Sequence, residues 1–138
     1  QMGERVGLVA VLDYAFEAAP VTGPVARAAA FVRNAPALLT DDLWLRNAQH
    51  ANAMAATLDA RVRQIPGVDV SRPVQANAVF AVLPADVTER LQQRFKFYTW
   101  DQTTGEVRWM CSWDTTQADV DAFTTAIAQE MAAEGASA

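Results

Sequence analysis

The apolar positions of this chain change their period along its length, and each change marks an element. From Thr40 onward, Trp44, Ala48, Ala51, Ala55, Leu58, Val62 and Ile65 recur at steps of four and three. Such spacing lays one apolar stripe along a helix of about six turns. Thr40 is the expected cap, and Asp41 and Asp42 stand in the first turn, where the backbone dipole favours negative charge. Pro66-Gly67 ends the pattern. Val68–Val70 predicts a short strand, and Asn77–Leu83 is an unbroken apolar run that predicts a strand covered on both faces. Past Pro84, Asp86–Gln93 predicts a short helix with Val87 and Leu91 inside. Phe95–Trp100 and Glu106–Trp113 predict two aromatic-rich strands, joined by a hairpin loop over 101–105 in which Gly105 takes positive φ. Thr116 and Asp119 have the spacing of a reciprocal cap. They open a last helix that buries Val120, Phe123, Ile127 and Met131, with a tail from Glu134 to Ala138 that is expected to fray.

The order from residue 40 is thus helix, strand, strand, helix, strand, strand, helix. It predicts an α+β fold: a small, mainly antiparallel sheet of three to four strands packed against helices. Residues 1–39 differ from the rest, being rich in alanine and interrupted by Pro20, Pro24 and Pro36. They are expected to form a helical N-terminal segment, with short helices over Val6–Phe16 and about Val25–Asn34, outside the domain over 40–138.

Composition narrows the functional classes. With 138 residues, 51% hydrophobic and 20% charged, the chain is expected to hold one domain with a real core, not a disordered segment. Its longest apolar run, Gly7–Leu12, is far below the roughly 18 residues of a membrane span. Asp13 and Glu17 follow that run at once, which argues against a secretory signal. A net charge of −5 and the lack of a basic cluster speak against nucleic-acid binding. Cys111 has no second cysteine to pair with, which suits a reducing cytoplasm. Lys96 is the only lysine among the eleven basic residues, so chemistry that needs a lysine has one candidate.

Chemistry-bearing groups are few. The sequence has no glycine-rich phosphate loop, no metal-ligand cluster and no Gly-x-Ser-x-Gly elbow. Cys111 and His50 fall on a strand and a distant helix, and read as a small core thiol and a packed histidine ahead of a nucleophile and its base. The last strand is more informative. Val107, Trp109, Cys111 and Trp113 share one face, expected under the helices, while Arg108, Met110 and Ser112 share the other. Arg108 then stands among Lys96, Tyr98 and Trp100 of the neighbouring strand. A guanidinium on a rigid strand suits carboxylate recognition, although from spacing alone a solvated arginine or an ion pair with Glu106 or Asp114 is the reading preferred.

Three segments in order carry a family resemblance: 43–54 (LWLRNAQHANAM), 74–80 (VQANAVF) and 107–114 (VRWMCSWD). Together, over about residues 38–134, they resemble the C-terminal small domain of low-specificity L-threonine aldolases. These belong to the aromatic β-eliminating lyase group of pyridoxal 5'-phosphate enzymes, with the aspartate-aminotransferase fold. The resemblance implies cleavage of a β-hydroxy-α-amino acid to glycine and an aldehyde, with the cofactor as electron sink. It implies that Arg108 binds the substrate carboxylate, and that His50, Asn52 and Asn77 lie near the interdomain face as packing residues. The Schiff-base lysine, phosphate loop and pyridinium-binding aspartate of the family belong to a large domain upstream of the match. Lys96, within the small domain, does not stand in for that lysine. No catalytic, cofactor-binding or metal-binding residue is therefore assigned, and the chain is expected to be a fragment or remnant. Alone it would be inactive, taking an amino-acid substrate only with a large-domain partner, and self-associating through exposed apolar surface. Two other readings stand beside it: an independent amino-acid-binding or protein-interaction module using Lys96, Tyr98, Trp100, Arg108 and Met110, and a structural domain without a ligand.

Overall fold

The computed structural model describes residues 42–136. Helix α1 (Leu43–Val62) is followed by β1 (Asp69–Val70), β2 (Ala78–Val82), α2 (Ala85–Gln92), β3 (Tyr98–Asp101), β4 (Glu106–Met110) and α3 (Gln117–Gly135). This is the expected order of elements, and the α+β class is as expected. The segment 1–39, with Thr40 and Asp41, lies outside the described residues.

The four strands form one antiparallel sheet in the order β1-β2-β4-β3. All three helices cover one face of it, with α3 packed against both α1 and α2. Period-two alternation decides which residues meet them. Val79 and Ala81 of β2, and Val107 and Trp109 of β4, point into the core. There they meet Leu58 and Val62 of α1, Val87 and Leu91 of α2, and Val120, Phe123 and Ile127 of α3. Trp109 is fully buried, with Phe123 edge-on at 5.2 Å and Phe97 edge-on at 6.2 Å between ring centroids.

Local chemistry sets the element ends. Thr116 Oγ1 accepts from the Asp119 amide at 3.2 Å, and Asp119 Oδ2 accepts from the Thr116 amide at 2.8 Å, which makes the expected reciprocal cap of α3. Gly105 has φ 73° and closes the β3–β4 loop, where Asp101 Oδ1 accepts from the Thr103 amide at 2.8 Å. Gly67, with φ 84°, ends the turn after α1.

Several expectations need correction. Asp42, not Thr40, is the N-cap of α1; it is left-handed and makes no side-chain cap bond. The apolar stripe of α1 is covered only from Ala51 onward, so Trp44 and Ala48 stay exposed. Strand β2 is covered fully on one face only, since Ala78, Phe80 and Val82 are half-buried on the other. Strand β3 starts at Tyr98, which leaves Lys96 exposed in the loop before it. Strand β4 stops at Met110, so Trp113 leaves the alternation and is 57% exposed. No helix among the described residues is long and apolar enough to cross a membrane.

Phe123 joins the Trp109, Phe97 and Phe95 rings at the centre of the core. Phe123→Ala is expected to lower the unfolding free energy by about 3–5 kcal/mol. Thr116→Ala, which removes only the cap, is expected to lower it by about 1 kcal/mol. Urea unfolding followed by circular dichroism checks both.

Candidate functional site

The sheet face away from the helices carries the candidate site. Strand β4 places Glu106, Arg108 and Met110 there, because Val107 and Trp109 are committed to the core. Arg108 stands directly opposite Phe80 of β2 on one side and Tyr98 of β3 on the other. Thr99 pairs with Val107 and Asp101 with Glu106, so two steps on β3 match one on β4. Trp100 is the extra residue of this bulge. Its ring reaches over the open face, 5.7 Å from Phe80 in an edge-to-face pair. The Arg108 guanidinium stacks on it, 4.4 Å from the ring centroid.

A second arginine occupies the other end of this row. The Ser71 amide donates to the Phe80 carbonyl at 3.1 Å and continues the β1–β2 ladder by one residue. The next residue, Arg72, lies with its guanidinium 4.5 Å from the Phe80 ring centroid. Arg72 also holds Glu106 bidentately, Nη2 to Oε2 at 2.6 Å and Nε to Oε1 at 3.1 Å. The Ser71 hydroxyl donates to the same Oε1 at 2.5 Å. Burial alone would push the Glu106 carboxyl up; the Ser71 and Arg72 hydrogen bonds outweigh it and hold Glu106 below its ordinary value. The four side chains thus form one row in the order Arg72, Phe80, Trp100, Arg108, with two rings between two cations.

The two arginines differ in charge balance. Glu106 neutralises Arg72, whereas Asp114 accepts from the Ser112 hydroxyl and does not reach Arg108. Among the described residues, no carboxylate forms an ion pair with Arg108. Arg108 therefore offers the N–H edge of its guanidinium while a ring covers its face, a geometry suited to a planar anion.

The other expected site residues fall apart from Arg108. His50 Nε2 donates to the Thr115 carbonyl at 2.7 Å and ties α1 to the segment after β4. Asn77 Nδ2 donates to the Cys111 carbonyl at 2.8 Å, and the Cys111 amide donates back to the Asn77 carbonyl at 2.8 Å. Both side chains fix the same stretch, the exit of β4. Asn52 is exposed on α1, two residues from His50 and so on another side of that helix. Cys111 is fully buried, and burial pushes its thiol up to about 11, so it is a core side chain and not a nucleophile. Among the described residues, no group of three His, Cys, Asp or Glu side chains is placed to hold a metal. Sequence reasoning missed Ser71, Arg72 and Phe80 as parts of this face, and it weighed Glu106 only as a partner for Arg108. The Arg72-Pro73 step was the one available signal, since a residue before proline is extended.

No family model matches the chain. Two curated proteins do. One is a low-specificity L-threonine aldolase of Pseudomonas sp. (strain NCIMB 10558), 42% identical over 97 residues, or 70% of this chain and 28% of the relative. The second is a low-specificity L-threonine aldolase of Pseudomonas aeruginosa, 47% identical over 79 residues, or 56% of this chain and 22% of the relative. Among solved structures, a threonine aldolase of Leishmania major shares the fold with a TM-score of 0.61 at 22% identity, over 79% of this chain and 36% of that one. The chain therefore spans less than a third of the length of these curated relatives, and over the shared part it is threonine-aldolase-like.

Pyridoxal phosphate is the cofactor this relationship implies, and it needs a lysine for its imine, donors for its phosphate and a partner for its ring nitrogen. The described residues do not present that set. Lys96 is exposed in the loop before β3, outside the Arg108 row.

Because its folded-state value is depressed, Glu106 contributes stability that is present above its ordinary value of 4.5 and is lost as the pH falls through the lower folded value. Glu106→Gln is expected to reduce stability at pH 7 and to flatten part of the loss below pH 4.5. Denaturant midpoints measured from neutral to acid pH in both proteins check this.

Proposed function

We propose that this chain is the small-domain part of a threonine-aldolase-like lyase, an enzyme that cleaves β-hydroxy-α-amino acids into glycine and an aldehyde. Its own contribution is Arg108, which takes the α-carboxylate of the amino acid through the free edge of its guanidinium. The carrying observation is the charge asymmetry of the open sheet face: Arg72 is neutralised by Glu106, and Arg108 has no ion-pair partner among the described residues. The described residues present no lysine placed for the cofactor's imine, so the cofactor site is assigned to a large domain outside them. His50 and Asn77, which fix the exit of β4, are assigned to packing near the interdomain face, while Asn52 projects from another side of α1. The unpaired Cys111 suits a reducing cytoplasm.

Two measurements test this reading. Titration of the chain with pyridoxal phosphate followed by borohydride reduction is expected to give no saturable, stoichiometric adduct. A single visible-absorbing adduct of that kind would overturn the claim that the cofactor site is elsewhere. Glycine titration followed by NMR is expected to show saturable binding that Arg108→Ala weakens by about tenfold or more, as befits a lost charge-assisted pair. Unchanged binding in Arg108→Ala would remove the residue from its assigned role.

A second reading, a free-standing carboxylate-binding or interaction module, is favoured by the exposure of Tyr98, Trp100 and Trp113 at 58%, 50% and 57%. On either reading the chain self-associates through its apolar surface. Sedimentation is expected to give a mass that rises with concentration, and a concentration-independent monomer counts against that.

A further inference from the structure

We infer that Trp100 is a positioning residue for anion recognition, and that the Arg72–Phe80–Trp100–Arg108 row sets the direction in which Arg108 presents its N–H edge. This rests on the reading of Arg108 as the carboxylate-binding group and adds to it what aims that group.

An arginine side chain has several rotatable bonds, and one that projects from a strand into solvent loses rotamer entropy when a ligand fixes it. Arg108 is already fixed on one side, because its guanidinium lies 4.4 Å from the Trp100 ring centroid. Stacking leaves the in-plane donors free, so a planar carboxylate can approach edge-on without displacing the ring. Trp100 in turn is fixed by the edge-to-face contact with Phe80, and Phe80 by the Arg72 guanidinium above it. Arg72 is anchored to Glu106, a carboxylate only 6% exposed that also accepts from Ser71. The row therefore begins at an ion pair whose carboxylate is buried and ends at a cation that has no ion-pair partner among the described residues. Each contact passes orientation, not charge, to the next.

The bulge is the second part of the device. In regular pairing Thr99 opposite Val107 would place Trp100 opposite Glu106. The register shift gives that pairing to Asp101 and leaves Trp100 as the unpaired extra residue. Bulges re-aim side chains in this way. Trp100 holds no ligand itself; it acts through Arg108.

The test uses the 138-residue chain with glycine as the probe. In the unaltered protein the Arg108 Nε–Hε resonance is expected to be shifted upfield by the ring current of Trp100, and to move on glycine addition. In Trp100→Ala that ring-current shift is expected to vanish, and glycine affinity to fall by about threefold to tenfold, the range of one cation–π contact and its ordering. Trp100→Phe is expected to regain part of both. Because Trp100 is half-exposed on an outer strand, the folded state of each variant is checked from its amide spectrum. If Arg108→Ala abolishes glycine binding while Trp100→Ala leaves affinity and shift unchanged, the positioning role is overturned and the carboxylate role stands. If Arg108→Ala leaves glycine binding intact, the carboxylate role itself fails. If Trp100→Ala weakens binding but Trp100→Phe recovers neither shift nor affinity, stacking is not the cause and the inference fails.

Discussion

The two-faced commitment of β4 governs the rest of the molecule. This strand is paired on both sides, with β2 and β3, so its alternation cannot slip without dissolving the sheet. Trp109 supplies the energy that holds the register. Burying an indole removes about 150–250 Å² of surface from water. At about 25 cal/mol per Å², that gives roughly 4–6 kcal/mol. The indole N–H has no hydrogen-bond partner among the described residues, which offsets about 1–3 kcal/mol of that gain. Packing wins, and with Trp109 fixed beneath the sheet, Glu106, Arg108 and Met110 must lie above it.

The elements were legible because each carries its own period. The stripe of α1, the apolar run of β2 and the cap of α3 depend on residues near one another in the chain. The face assignment of Arg108 was legible for the same reason. What sequence could not yield is what depends on neighbours from other strands. Trp113 was expected inside by extending the alternation, but β4 ends at Met110 and Cys111–Thr115 turns under the direction of Asn77 and His50. Phe80 reads as core in a run of apolar residues, and only the register with β4 sets it beside Arg108. Glu106 was weighed as a partner for Arg108; Arg72, 34 positions away in sequence, takes it.

That competition for Glu106 gives the open face its character. The stacked row on it joins two arginines through two aromatic rings, and the Glu106 carboxylate sits at the Arg72 end. Had Glu106 paired with Arg108, both cations would have changed places in the electrostatics of the face.

The register shift at Trp100 also bears on how the sheet ends. Strand β3 is an outer strand, and a long, flat outer strand offers its unused amides and carbonyls to any passing chain. Here the strand is four residues long and its pairing is broken at the third. Lys96 precedes it and Asp101 closes it, so both approaches carry charge. A second strand could not add in register along that border. The same irregularity that releases Trp100 from a cross-strand pairing thereby interrupts the margin of the sheet against fibril-like growth.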